Sequence, residues 1–153
     1  MNNRVISRKL LRFILFVLAF VWLLGIVIYC FDFSSVTAFY PFQKQIYSTV
    51  CHQNIDKSFL CNGIPFFVCA RCTGIYSGAL LAAFFLLFLT KPIKIKTTFL
   101  ILFSLPMLAD VIFLNFEFYS YIKPLSAFTG LLFGSAVFLY ILEGIENLLF
   151  KIK

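Results

Sequence analysis

The sequence predicts an all-α integral membrane protein: a bundle of four transmembrane helices, both termini cytoplasmic, with one long outer loop carrying a short interfacial helix. Three observations carry that reading. Hydrophobic residues make up 62% of the 153-residue chain and charged residues only 12%, against about 45–50% and about 25% in soluble domains. There is too little charge to coat a water-facing surface. Four apolar runs approach the roughly 20 residues that cross a hydrocarbon core of about 30 Å at about 1.5 Å per residue. The basic residues, finally, are shared unevenly among the segments that join these runs. The same composition excludes a disordered tail, a coiled coil and a basic nucleic-acid binder. The lipid bilayer is the implied partner, and no nucleic acid is needed to explain the net charge of +7.

The first span is expected at 13–31, free of internal charge, with Arg12 at its lip. Arg4, Arg8, Lys9 and Arg12 also resemble the basic region of a signal peptide. The apolar run exceeds the roughly 7–15 residues of such a leader, so it reads as a retained anchor. The second span is expected at 73–89 and the third at 99–116, interrupted by Pro106 and Asp110. The fourth is expected at 124–142, with Glu143 and Glu146 in solvent where the helix leaves the membrane. The whole chain, 1–153, reads as one integral membrane domain without internal repeats.

Sidedness follows from loop charge. The N-terminal tail, the loop holding Lys91, Lys94 and Lys96, and the C-terminal tail with Lys151 and Lys153 carry nine Lys and Arg; the other two loops carry Lys44, Lys57, Arg71 and Lys123. A four-span chain puts the nine on the cytoplasmic side and the outer loop, 32–72, on the other. Within that loop Phe42, Ile46, Tyr47 and Val50 recur at helical spacing after Pro41, which suits a short helix in the headgroup region. An irregular aromatic loop folded over the bundle is the alternative.

The chemistry-bearing residues follow. Four of the five cysteines and the only histidine fall within 51–72: Cys51-His52-Gln53, Cys61, and Cys69-Ala70-Arg71-Cys72 at the mouth of the second helix. Both sulfurs of a Cys-x-x-Cys at a helix start reach one point, and the helix N-terminus with Arg71 would favour thiolates. Cys51, His52, Cys69 and Cys72 therefore supply the ligand types of a tetrahedral zinc site, or one adaptable to iron. As neighbours, Cys51 and His52 rarely chelate one ion together, so one of the two would support the other. Cys69, Cys72, His52 and Asp110 are the candidate catalytic groups.

Cys-His-Gln, Ser58-Phe59 and the run Pro65 to Gly78 (PFFVCARCTGIYSG) resemble an uncharacterised family of small prokaryotic membrane proteins, domain of unknown function two-zero-eight-five. The resemblance is close over 51–78 and looser to Gly134. Its pattern falls on Cys51, His52, Gln53, Ser58, Phe59, Cys69, Arg71, Cys72, Thr73, Gly74, Tyr76 and Gly78, and omits Cys30 and Cys61. The chain departs from it at Lys57, at Val111 after Asp110, and at Ser126, where a basic residue is the family's habit. The resemblance implies fold, topology and a multi-pass place in a prokaryotic cytoplasmic (inner) membrane, and no activity.

Three uses of the cysteines compete: a bound transition metal; a thiol–disulfide centre linked to quinone, by analogy of layout with the vitamin K epoxide reductase architecture; and static disulfides among Cys51, Cys61, Cys69 and Cys72. In the redox reading Cys69 attacks, Cys72 is its partner, Cys51 and Cys61 relay electrons and His52 takes the proton. Cys30 is expected to be packing. Asp110, the only acid inside a span, is costly there; it is expected to approach Cys69, Cys72 or His52, or else to pair with Lys123 or a carbonyl freed by Pro106. Gly74-x-x-x-Gly78 and Gly130-x-x-x-Gly134 are expected to let helices approach closely, within the chain or toward a second copy or another membrane protein. Ser77, Thr129 and Ser135 are expected to bond between helices. Channel or carrier activity is a weaker fit, since Asp110 stands alone as a polar group in the spans. No Ser-His-Asp set, paired carboxylates, phosphate-binding loop or dinucleotide fingerprint is present.

Overall fold

A computed structural model describes residues 2–31, 40–61 and 63–150. Helix α1 (Asn2–Val27) tightens into a 3-10 turn over Ile28–Phe31, and α2 (Tyr40–Ser48) follows in the long loop. A 3-10 turn at Ile55–Lys57 leads into a hairpin of β1 (Ser58–Cys61) and β2 (Ile64–Cys69), and then α3 (Ala70–Leu87), α4 (Thr97–Asn115) and α5 (Lys123–Phe150) complete the chain. Four segments are long and apolar enough to cross a membrane: Ile6–Val27, Ala70–Leu87, Thr97–Asn115 and Lys123–Leu149. The second span thus takes in the last residues assigned to the outer loop. The first and last spans reach further toward the termini than their uncharged runs, and Arg12, Glu143 and Glu146 there find partners inside the protein. Pro106 does not break α4, as proline within a transmembrane helix can be tolerated when neighbours and side chains re-satisfy the backbone. The expected helix after Pro41 is α2; residues 32–39 of the same loop lie outside the described residues.

The hairpin was not among the expected elements. Its closing pair, Cys61 with Ile64, brackets Asn62-Gly63, and Gly63 holds φ +78°. Asn-Gly at a two-residue turn favours the left-handed conformations that a tight hairpin needs. Since a Cβ at Gly63 would meet nothing within 4 Å, Gly63→Ala should cost only the backbone strain. We expect about 1 kcal/mol, seen as a lower midpoint in thermal unfolding; an unchanged midpoint would count against the turn.

Helices α3 and α5 form the central pair. Gly74 faces the backbone of Ala127 and Gly78 that of Leu131, while Gly130 and Gly134 face the backbones of Arg71 and Ile75. These pairings advance together along both helices, so the two run parallel. A Cβ at any of the four would overlap main-chain atoms of the opposing helix. The two small-residue motifs therefore meet each other within one chain. Helix α1 packs on α3 and α4 packs on α5. Ser135 does bond across the pair, its hydroxyl donating to Gly78 O at 3.0 Å. Ser77 and Thr129 instead donate to Gly74 O and Ser126 O in their own helices, the commoner outcome when a carbonyl one turn back is within reach.

Two ion pairs cross-tie the helices, one buried and one partly buried. At one end Arg12 of α1 donates to Glu146 of α5 at 2.7 Å, with both side chains at 2% exposure or less. The same guanidinium donates to the carbonyls of Leu86, Leu89 and Lys91 where α3 ends. Glu143 accepts the Ile95 N–H at 2.8 Å. The expectation of solvated Glu143 and Glu146 is thus corrected: the helix continues past them because its acids are the acceptors for a buried arginine and a loop amide. At the other end Arg71 of α3 pairs with Asp110 of α4, beside the cysteines.

Candidate metal centre

Cys51 sits just past α2, and its N–H donates to Tyr47 O at 3.0 Å. Tyr47 is buried and anchors this turn to α1, its hydroxyl donating to Trp22 O at 2.8 Å. Its ring stacks on Phe67 of β2, centroids 5.7 Å apart and planes within 7°. Burial holds the Tyr47 phenol up at about 12, with nearby Tyr76 adding to the shift. Phe67 and Val68 at the end of β2 are both buried in this cluster, and the strand delivers Cys69 to the N-cap of α3, with Cys72 in the first turn. The hairpin, α2 and the start of α3 thereby converge three thiols. The sulfurs of Cys51, Cys69 and Cys72 all lie within 4.8 Å of one another.

The centre of this cluster is the Cys51 sulfur. It accepts the Cys69 N–H at 3.2 Å, and Gln53 at φ +51° turns its own N–H to the same sulfur. Hydrogen bonds from the Cys69 and Cys72 thiols, together with these two amides, hold the Cys51 thiol far below its usual range, against the opposing effect of burial. Gln53 explains its place in the motif in a second way: its side-chain amide donates to Lys44 O at 2.8 Å, tying the turn back to α2. Packed around the cysteines are Ile26, Trp22, Phe67 and Tyr76, an apolar shell on the protein side of the cluster.

The remaining candidates fall elsewhere. His52 is exposed, lines a separate cavity, and is not part of the group of three thiols. Adjacency is the reason: with Cys51 turned inward, the next side chain points away. Asp110 is 5% exposed, and it meets the Cys-x-x-Cys segment through Arg71. Its carboxylate accepts from Arg71 at 2.5 Å, from Ser126 at 3.1 Å and from Tyr119. Ser126 is thus a hydrogen-bond donor to the acid. Burial and the bond to Asp110 push the Tyr119 phenol up to about 12. Arg71 is committed to Asp110, so the positive charge expected to serve the thiolates serves a carboxylate instead, the stronger partner for a guanidinium fork.

Cys30 is not packing: it is bonded to Cys61 in a disulfide that joins the end of α1 to β1. This corrects the static four-cysteine scheme as well, because Cys51, Cys69 and Cys72 are free and Cys61 is bonded outside their set. It also takes Cys61 out of the expected electron relay. The hairpin that separates Cys61 from Cys69 was signalled by Asn62-Gly63 between two apolar runs. Arg12 with Glu146 carried no such signal, since 134 residues separate them.

Comparison with known proteins agrees with this architecture. Residues 51–140 match the family described as "Predicted membrane protein (DUF2085)". An uncharacterized protein of the archaeon Methanocaldococcus jannaschii is 32% identical over 109 residues, covering 69% of this chain and 70% of that protein. No solved structure matches the chain. The matched region begins at Cys51 and takes in the three thiols, the Arg71–Asp110 pair and the glycine-packed α3 and α5, and the chain belongs to this family of membrane proteins.

Proposed function

We propose that the chain crosses a prokaryotic cytoplasmic membrane four times, termini inside, and binds a transition metal, zinc or iron, through Cys51, Cys69 and Cys72 at its extracytoplasmic end. The sidedness rests on the sequence count of nine Lys and Arg in the two tails and the Lys91–Lys96 loop against four in the other two loops. One observation carries the metal reading: three unbridged thiols converge within 4.8 Å in a protein whose other two cysteines are bonded. Thiolates about 2.3 Å from a tetrahedral zinc stand about 3.8 Å apart, so these sulfurs need close in only slightly. The two amides on the Cys51 sulfur are the kind of support that orients and tunes a thiolate ligand.

The chain offers three ligands and leaves a fourth position to water or to an incoming group. Three protein ligands with one open position mark catalytic sites more than closed structural ones. Zinc suits this set because it tolerates incomplete protein ligation, and soft thiolates also accept iron.

The test is elemental analysis of protein purified in mild detergent without chelator, with thiol counting, for wild type and for Cys69→Ser/Cys72→Ser. Wild type should carry close to one equivalent of metal, and the variant should lose at least about 90% of it while keeping its unfolding midpoint within a few degrees. Folded wild type without metal overturns the reading. If such protein also shows a Cys69–Cys72 bridge that opens and closes with quinone supply, the cluster is a thiol–disulfide centre.

A further inference from the structure

His52 is left unused by the three-thiol site, and the place it occupies has a chemistry of its own. It lines a cavity of about 280 Å³ together with Tyr40, Lys44, Gln53, Phe66 and Phe67. That volume lies close to the lower end of the roughly 300–1,000 Å³ typical of ligand sites, so the occupant is small. Tyr40 and Phe67 form a corner, with centroids 5.3 Å apart and planes at 51°, and Phe66 extends the apolar wall. Such a corner accepts a flat apolar body against ring faces and edges.

The polar side of the cavity has one sign. Lys44 brings a full positive charge, and the His52 ring offers an N–H donor in either protonation state. The Gln53 amide is already spent on Lys44 O. Among the described residues, no Asp or Glu lines the cavity. We propose that this cavity binds a small organic anion, a carboxylate on a flat apolar body, with Lys44 and His52 on the carboxylate and Tyr40, Phe66 and Phe67 on the body. Charge complementarity selects the anion, since a carboxylate gains charge-assisted hydrogen bonds that a neutral amide of the same shape does not. The site shares no ligand with the three thiols and stands whether or not they hold metal; Phe67 is a wall common to both.

Benzoate and its uncharged isostere benzamide are suitable probes, titrated by calorimetry or ligand-observed NMR into the detergent-solubilised full chain, with empty micelles subtracted. Benzoate should bind saturably and at least about tenfold more tightly than benzamide, the factor expected for one charge-assisted hydrogen bond. Lys44→Gln should remove that preference, and His52→Ala should weaken benzoate without lowering the metal content. Lys44 is exposed and its backbone carbonyl, not its side chain, holds Gln53, so the Lys44 variant keeps the local fold. Absence of saturable benzoate binding, equal binding of the two probes, or unchanged preference in Lys44→Gln would each overturn the proposal.

Discussion

Replacing Gly78 by leucine is expected to unseat α3 from α5 and to cost about 3 kcal/mol or more, above the usual range for overpacking. The reason is what the new side chain meets: the main chain of Leu131, which cannot rotate out of the way. Separating the helices also breaks the Ser135 bond to Gly78 O, in a setting where close backbone approach supplies much of the association energy. Gly144→Leu is the control, because nothing lies within 4 Å of a Cβ there. Thermal unfolding in detergent should show a large drop in midpoint for the first and little for the second. Equal behaviour of the two variants would remove the close-packed α3–α5 pair from the account.

The second large effect is expected at the opposite end. Glu146→Ala leaves Arg12 buried among α1, α3 and α5 with its charge uncompensated, and should destabilise the protein by about 3–5 kcal/mol. The three carbonyls that Arg12 also meets satisfy its protons but not its charge. Arg12→Leu/Glu146→Leu should recover most of the loss, since replacing both members of a buried pair by apolar groups is often close to neutral. Metal content should stay at the wild-type level in the double variant, because the pair and the thiols lie at opposite ends of α3. A double variant as unstable as the single one would show that the helix packing, and not the unpaired charge, was at stake.

Much of the site was legible residue by residue. Cys69 and Cys72 belong together by spacing alone, and Cys51 was placed with them by composition of the loop. His52 was not separable from Cys51 by the same evidence, since two neighbours in a loop carry no record of which one turns inward. Here Gln53 decides it: its left-handed φ and its bond to Lys44 O aim the Cys51 sulfur at α3 and leave His52 on the cavity. Cys30 illustrates the reverse. It lies outside the 51–72 cluster, yet the hairpin that carries Cys61 returns to the end of α1 and makes it a disulfide partner.

Membership of the bilayer, the number of spans and the uneven basic charge were determined by the sequence itself. They depend on sums over segments, and a sum of transfer energies needs no knowledge of neighbours. Partner choice was decided only by the tertiary structure. Arg71 sits among cysteines in the chain and bonds to Asp110; Glu146 looks like a solvated end and meets Arg12; the glycine motifs of α3 and α5 face each other's backbones. A buried charge or an open backbone face costs free energy until something satisfies it, and which group does so depends on where the folded helices bring it.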